Sequence, residues 1–481
     1  MNVLLISPRS GDKKWWPIHF PLGLAYIASS LKHIKVSVRF IDFEVDVNAF
    51  KKLDDALDCW RPDYVGISVH AFCLSQAMSL AKYIRSKSSK IRLVAGGIYP
   101  STFPEVFLKE SLYDFVIKGD GEVPFSQLVQ DIPVGKIGGL CYFDTATGRL
   151  HLGKTNYEPY DLEKLPFPDY ETVPLNNYIL RLGCAFRLPS YPIVFSRGCS
   201  GLCTYCTSFD FNKRHRTRDP KDVVMEIRHA IREYGAREIR FLDACFSDDL
   251  ECARRLCDAM IAGNLSVIWH CSTRIDRLDE DLLDRMKRAG CVSVGLGLES
   301  GNEGLLTRVG KSLDIKKARA LLRYCEKLGL FIRSSFMYGL PGETEETMMD
   351  TLRFALDTPS DFAVFNFLDL RLMLSYPTGT QMEKEFHDLV ELGHGNSGSS
   401  LFPQVSGKRI KAFILKSNMR FYFRWSFIKK CLTRKINFEF LMLNAFWLLP
   451  GFILDFMTRK FLYEFQKYER GQNDVSTGVR R

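Results

Sequence analysis

The sequence has no long hydrophobic run. None of its 481 residues falls in a stretch of the roughly 18 to 20 uninterrupted apolar residues that a membrane span needs. The nearest approach, 440–454, is bounded by Glu439 and Asp455 and broken by Pro450-Gly451. The opening MNVLLISPRSGD carries a strand-sized apolar run but no signal-peptide core or cleavage site, so the expected location is the cytoplasm. Cysteine pairing is also missing. Fourteen scattered cysteines in a chain this long make no disulfide framework and suit a reducing compartment. Most of the chain lacks net charge as well. The formal total is +10, but Lys408–Arg481 hold 16 Lys and Arg against 5 Asp and Glu. The remaining 50 against 51 leave residues 1–407 at −1, which excludes a basic groove running through the whole protein. With 46% hydrophobic and 25% charged residues, disordered and fibrous classes are excluded, and the length calls for two or three domains.

Over the first third, short β-rich runs alternate with helical patterns. Val3–Ser7, Val36–Phe43, Asp63–Val69, Ile91–Gly97 and Phe115–Gly119 read as strands. Pro21–Lys32, Ala49–Cys59, Leu74–Ser86 and a segment from about Pro124 read as helices. This alternation predicts a parallel doubly wound sheet, whose ligands bind beyond the carboxyl ends of the strands. Those ends carry Ser7-Pro8-Arg9-Ser10-Gly11, Ser68-Val69-His70-Ala71, Gly96-Gly97 and Gly119-Asp120-Gly121-Glu122. Small residues there let a large ligand lie close to the backbone, although ordinary tight turns explain the glycines as well. Ile137–Lys154 reads as a hairpin turning at Thr147-Gly148. Six prolines between 155 and 192 mark a linker draped over the next domain.

The strongest signal is PIVFSRGCSGLCTYCTS from Pro192. A short apolar strand leads into a loop with Cys199, Cys203 and Cys206 in CxxxCxxC spacing. Three thiolates on one loop can converge on one metal centre. A four-iron cluster held by three cysteines keeps one iron open to a small molecule. Zinc is the competing reading, but it favours paired C-x2-C units and a fourth protein ligand. The nearest histidine, His215, has no partner of its own. Strand patterns recur at Glu238–Asp243, Val267–Ser272, Ser293–Glu299, Phe331–Tyr338 and Ala363–Leu372, with helical patterns between them.

At CxxxCxxC, with Tyr205 just before the last cysteine, the sequence resembles the radical S-adenosylmethionine (SAM) superfamily. The resemblance implies a partial (β/α)6 barrel with its site at the carboxyl ends of the strands, a [4Fe–4S] cluster on Cys199, Cys203 and Cys206, and SAM on the open iron. It also implies SAM contacts from Tyr205, from Arg274 in STRID, from Glu299 in GLGLESG, and from Gly339, Pro341 and Gly342 in GLPGET. The first domain resembles the cobalamin-binding domain that precedes such barrels, in the subfamily of the anaerobic oxidative cyclase of bacteriochlorophyll synthesis and of hopanoid and natural-product C-methylases. Pro8, Ser68, Val69, Gly96, Gly97, Gly119, Gly121 and Glu122 would then line the cobalamin site. The likeness spans roughly residues 1–400 and includes Tyr376-Pro377-Thr378-Gly379-Thr380. One departure is plain: many cobalamin proteins carry DxHxxG after the first strand, and Ser10–Trp16 contain no histidine. A histidine-ligated cobalt is therefore not expected. Trp15 and Trp16 either pack on the corrin or close the core. The methylthiotransferases share this two-domain start, but their first domain carries three cluster cysteines that this chain lacks.

The expected organisation is α/β: a doubly wound cobalamin-binding-like domain (1–135), a hairpin and Pro-rich linker (136–190), a radical SAM barrel (191–400) and a basic, aromatic helical segment (401–481). The resemblance implies a radical SAM enzyme, most simply a C-methyltransferase acting on a small molecule or lipid, and a flavodoxin- or ferredoxin-like electron donor. An oxidative cyclase is the alternative chemistry, and a non-catalytic iron–sulfur or cobalamin sensor is the alternative class. Cys245, Cys252, Cys257, Cys271, Cys291 and Cys325 read as core thiols, with Cys245 and Cys271 following strand ends where a hydrogen donor would sit. His70, His270 and Asp243 are placed near the rim, each singly more often a structural residue than a functional one. The tail interleaves Phe421, Tyr422, Phe423, Trp425 and Phe427 with Arg420, Arg424, Lys429, Lys430, Arg434 and Lys435. It reads as a barrel cap or as a peripheral contact with an acidic inner membrane face. Nucleic acid is the less favoured partner.

Overall fold

The computed structural model describes residues 1–9, 20–108, 112–144, 147–153, 161–175, 178, 185–206, 215–340, 342–368 and 405–434. Ser10–Trp16, Pro341, Tyr376–Thr380 and the tail beyond 434 lie outside the described residues.

Two sheets carry the fold. The first contains β1 (Asn2–Ser7), β2 (Ser37–Asp42), β3 (Tyr64–Ser68), β4 (Arg92–Gly96), β5 (Phe115–Ile117), β6 (Leu140–Asp144) and β7 (Arg149–His151), in the order β2-β1-β3-β4-β5-β6-β7. The first five strands are parallel, and the hairpin β6–β7 adds antiparallel to β5. The hairpin thus extends the first sheet. Val3–Ile6, in the middle of β1, have no exposed surface, because helices cover both faces of such a sheet and the strand reads as one apolar run. The order reverses between β1 and β3, the place where doubly wound sheets open a crevice for ligands.

The second sheet contains β8 (Ser190–Ile193), β11 (Glu238–Phe241), β12 (Ile268–Arg274), β13 (Cys291–Glu299), β14 (Phe331–Tyr338) and β15 (Phe362–Phe367). Its order, β15-β14-β13-β12-β11-β8, is parallel throughout. These are the six strands of a partial (β/α)6 barrel. A small antiparallel pair, β9 (Ser196–Arg197) and β10 (Arg216–Thr217), brackets the cysteine loop.

Residues 161–175 and 178 pack between the two sheets. Leu162, Leu165, Tyr170, Val173, Leu175 and Tyr178 are buried in one core with Phe20, Ala25 and Tyr26 of the first domain and Tyr191 and Ile193 of the barrel. The helix Gly407–Tyr422 lies across the edge strand β15. The Tyr422 hydroxyl donates to the Ala363 carbonyl (2.6 Å) and accepts from the Ala363 N–H (3.3 Å), while the Ser417 hydroxyl lies 2.9 Å from that of Tyr338. Covering an edge in this way removes its unpaired backbone groups from solvent. No helix among the described residues is long and apolar enough to cross a membrane.

Candidate functional site

The loop from Gly198 to Cys206 rises from β9 over the carboxyl end of the barrel. Cys203 is buried, and Cys199 and Cys206 are half-buried. Two contacts set the loop's path. The Thr204 N–H donates to the Val309 carbonyl (3.0 Å), and Gly310 (φ +70°) packs so closely that a Cβ there would sit 2.3 Å from the Leu202 carbonyl oxygen. Donors already face the sulfurs: Arg274 Nη1 lies 3.1 Å from Cys203 Sγ, and the Gly201 N–H lies 3.4 Å from Cys199 Sγ. Charge-assisted donors on thiolates suit an anionic iron–sulfur centre, so these residues fit a cluster on Cys199, Cys203 and Cys206. Arg274, the last residue of β12, is held on its other side by Asp276 at 3.0 and 2.7 Å.

Glu299 and Leu340 lie near Tyr205 of this loop. Glu299 ends β13 in the left-handed region (φ +61°) beside a register shift in the β13–β14 pairing. Its Oε1 lies 3.0 Å from Lys311 Nζ, both groups buried. A non-glycine residue held at positive φ is strain of the kind that collects at functional sites. Tyr205 packs with Leu305, Val309 and Leu340. Burial, then the nearby Glu299 carboxylate, pushes its phenol well up. Gly339 (φ +93°) and Leu340 turn the chain after β14 by donating their N–H groups to the Glu343 carboxylate. Gly342 sits against Arg308. Burial pushes the Glu343 carboxyl up to about 7, and its Oε1 finds no hydrogen-bond partner among the described residues.

A cavity of about 450 Å³ opens between the two sheets. Ser68, Gly96, Gly97, Gly119, Gly121 and Glu122 line it from the first sheet, and Val194, Arg197 and Leu242 line it from the barrel. Pro8 and Val69 are not among its walls. Val69 acts one layer back. Its N–H donates to the Gly96 carbonyl (2.7 Å), and a Cβ on Gly97 (φ +102°) would lie 2.7 Å from the Val69 carbonyl oxygen. The helix predicted from about Pro124 begins at Glu122, which turns that carboxylate into the cleft. Glu122 Oε2 and the Tyr26 hydroxyl are buried in the wall without partners among the described residues. An open glycine-lined crevice with unpaired polar groups fits a large, amide-rich ligand such as cobalamin.

Asp243 and His270 take the structural role that is the commoner one for each singly; Asp243 stays just past the end of β11, and only His270 leaves the rim. Asp243 is a brace: it accepts from the N–H groups of Phe195 and Ser196 and from the Ser196 hydroxyl, and burial raises its carboxyl to about 6. His270 is the third residue of β12, inside the barrel, with Nε2 3.2 Å from Glu238 and Nδ1 3.1 Å from Arg333. Burial holds its imidazole down at about 4. Cys245 lies not in the apolar core but beside Cys199. His70 follows β3 and Cys271 lies within β12. Sequence reasoning missed Tyr26, Arg197 and Leu242, whose roles depend on contacts across the domain junction.

The chain belongs to the radical SAM superfamily, in the branch that carries a cobalamin-binding domain. The radical SAM superfamily model matches residues 193–355, and the B12 binding domain model matches residues 17–129. An uncharacterized methyltransferase of Pyrococcus horikoshii is 30% identical over 72% of this chain and 75% of its own length. An anaerobic magnesium-protoporphyrin IX monomethyl ester cyclase of Rubrivivax gelatinosus is 26% identical over 76% of this chain and 67% of its own. Among solved structures, the radical SAM methyltransferase TsrM of Kitasatospora setae superposes with a TM-score of 0.65 at 20% identity, covering 76% of this chain and 72% of that one. The protein is thus an enzyme of this family, and its cofactors are a [4Fe–4S] cluster, SAM and cobalamin.

Proposed function

We propose that the enzyme methylates an unactivated carbon of a small-molecule or lipid substrate. The shared cavity carries this reading: the crevice of the cobalamin-type sheet has Val194, Arg197 and Leu242 of the barrel in its wall, and Arg197 leads directly into the cysteine loop. When bound, the cluster and SAM supply a 5′-deoxyadenosyl radical that abstracts hydrogen, and cobalamin supplies a transferable methyl group. Cys199, Cys203 and Cys206 would hold three irons and leave the fourth for SAM. Arg274, Glu299, Gly339, Pro341 and Gly342 would seat SAM. Tyr205 and its apolar neighbours Leu305, Val309 and Leu340 would exclude water beside it. The electron would come from a flavodoxin- or ferredoxin-like donor. Methyltransferases are among the relatives, the one at 30% identity included, which supports transfer, and cyclases stand beside them.

The test is anaerobic reconstitution with iron, sulfide and cobalamin, followed by SAM and reductant. The expected products are 5′-deoxyadenosine and S-adenosylhomocysteine, both lost in Cys203→Ala. 5′-Deoxyadenosine with a dehydrogenated, unmethylated product would identify a cyclase. An intact cluster with no SAM cleavage in the presence of substrate would identify a sensor.

The tail supports a peripheral contact with an acidic membrane surface. Leu415, Met419 and Phe423 recur at four-residue spacing and stay exposed, with Trp425 and Leu432 beyond them. Lys408, Lys411, Lys416 and Arg420 flank this stripe. An apolar face rimmed by cations suits an anionic interface. Flotation of the full-length protein with anionic vesicles at low salt, and its loss in Met419→Glu/Trp425→Glu, checks this. Full-length protein remaining in the unbound fraction would refute it.

A further inference from the structure

The cysteine loop is closed by a stem whose own residues oppose it. Residues 198–215, which hold the three cysteines, run between β9 and β10. These strands pair over only two residues each, and Arg197 stands directly opposite Arg216. So short a ladder supplies little stability of its own, and like charges facing each other across two strands weaken it further. Both side chains are nearly buried, where less water screens their repulsion.

The first domain supplies the charge that offsets this repulsion. Asp120 Oδ1 lies 3.0 Å from Arg197 Nη1, and its Oδ2 lies 2.8 Å from Arg216 Nη2. One carboxylate therefore spans both arginines. Glu122 takes the second terminal nitrogen of Arg197 at 2.6 Å, but Asp120 is the acid the two share. Its position is fixed from its own side of the junction. The Lys118 N–H donates to the Gly139 carbonyl (2.8 Å), and the Gly119 N–H donates to the Ser101 hydroxyl (2.9 Å). Gly119 turns the chain at φ +90°, and a Cβ on Gly121 would meet Ile27 Cδ1 at 2.9 Å. Asp120 also walls the cavity between the two sheets.

We propose that Asp120 is a positioning residue for the cluster: its charge lets Arg197 and Arg216 stand side by side, which keeps the cysteine loop closed and set against the crevice of the first domain. The proposal rests on Cys199, Cys203 and Cys206 being the cluster ligands. Loss of that charge leaves the cross-strand arginine repulsion less compensated, and the stem opens more readily. Removing one of the two arginines relieves the same repulsion, so it compensates for a neutral residue at 120.

The experiment measures iron release from the reconstituted full-length protein into an anaerobic excess of a ferrous chelator. Wild type is compared with Asp120→Asn, Arg216→Gln, the double variant Asp120→Asn/Arg216→Gln and Asp114→Asn. Asp114 precedes β5 at its other end, where it pairs with Arg85 and accepts the Leu93 N–H (2.6 Å), so its variant weakens the first domain away from the stem. The expected result is release about tenfold faster in Asp120→Asn, the low end of what losing an outer-shell partner costs a metal site. Arg216→Gln, the double variant and Asp114→Asn should release iron near the wild-type rate. The proposal is overturned if Asp120→Asn holds its iron as the wild type does, or if any of the other three variants releases iron as fast as Asp120→Asn. If Asp120→Asn does not accumulate as folded protein, the double variant carries the test: it should fold and keep its iron, and its failure beside a folded Arg216→Gln overturns the proposal. A wild type that assembles no cluster, or a Cys199→Ala variant that assembles it fully, would instead overturn the ligand assignment beneath the proposal.

Discussion

Arg197 joins the two domains, and removing it has a calculable cost. Its Nη1 lies 3.0 Å from Asp120 and its Nη2 lies 2.6 Å from Glu122, with its guanidinium 5.2 Å from the ring centre of Tyr26. Arg216 reaches the other oxygen of Asp120 at 2.8 Å. In Arg197→Met the cation over Tyr26 is lost, while Asp120 keeps Arg216. Glu122, only 3% exposed, loses its cation. Its second oxygen is already unpaired among the described residues, so no local donor replaces the arginine. Breaking one side of a buried pair costs about 3 to 5 kcal/mol; the partial shielding of Asp120 places this case near the lower figure. Adding Glu122→Gln removes the stranded charge, so the double variant should regain most of the loss, with a coupling of about 2 kcal/mol. Anaerobic urea unfolding of wild type, both single variants and the double variant gives the cycle. Because the chain has two cores, the first transition is the one to analyse. Since both partners wall the cavity, corrin retained after gel filtration should fall in parallel. An Arg197→Met variant within about 0.5 kcal/mol of wild type, or simple additivity in the cycle, would refute the clasp.

Adjacent glycines should separate folding from ligand binding. Gly97→Ala places a Cβ against the Val69 carbonyl at positive φ and should cost about 1 to 3 kcal/mol in unfolding. Gly96→Ala meets nothing within 4 Å, so it should leave stability within about 0.5 kcal/mol while weakening corrin retention. Burial raises Glu343 from 4.5 to about 7. The native state therefore holds that proton more tightly, and the stability it lends is full below about pH 4.5 and lost as pH rises through about 7. Glu343→Gln should accordingly gain on the wild type by on the order of 3 kcal/mol between pH 4.5 and 8; a difference that does not change with pH in unfolding curves would contradict this. Arg424 donates to the carbonyls of Ala355, Leu356 and Ser360 at 2.7 to 3.1 Å. Arg424→Ala leaves these acceptors unpaired and should free the C-terminal helices to limited proteolysis, at a cost of about 2 kcal/mol.

The sequence made the fold legible wherever periodicity was local. The strands of both sheets were found because buried parallel strands such as VLLI of β1, and the largely buried β13, write their burial directly into apolar residues. The three cysteines were legible for the same reason, since their chemistry lies in ten consecutive residues. What escaped detection was set by distant partners. Arg197 gives no sign that its anchors lie 75 and 77 positions earlier, at Glu122 and Asp120. Cys245 looked like an ordinary core thiol because its neighbours, Cys199 and Thr273, come from other loops and strands. His270 was placed at the rim because strand ends are uncertain by a residue or two. Two residues in a strand decide between a barrel mouth and a sealed interior.

The same dependence on partners changes what the basic tail means. Read along the chain, its cations form one surplus available to an acidic surface. In the fold, Arg424 is spent on backbone carbonyls. Lys430 and Arg434 converge on the fully buried carboxylate of Asp361 at 3.5 and 2.8 Å, and Lys430 also reaches Glu326 at 2.7 Å. Arg409 pairs with Glu345 at 2.8 Å. These four hold the C-terminal helices against the barrel and balance acids in a body that is otherwise near neutral. Lys408, Lys411, Lys416, Arg420 and Lys429 make no ion pair among the described residues, and four of them edge the exposed Leu415–Met419–Phe423 stripe. Attraction to anionic lipid should therefore follow these residues and not the total charge. Reversing Lys411 and Lys416 to Glu should abolish vesicle binding while leaving the unfolding curve in place, whereas Arg434→Gln should destabilise the cap and leave the cationic rim intact. If the two variants weaken vesicle binding equally, the division of the charge drawn from the structure is wrong.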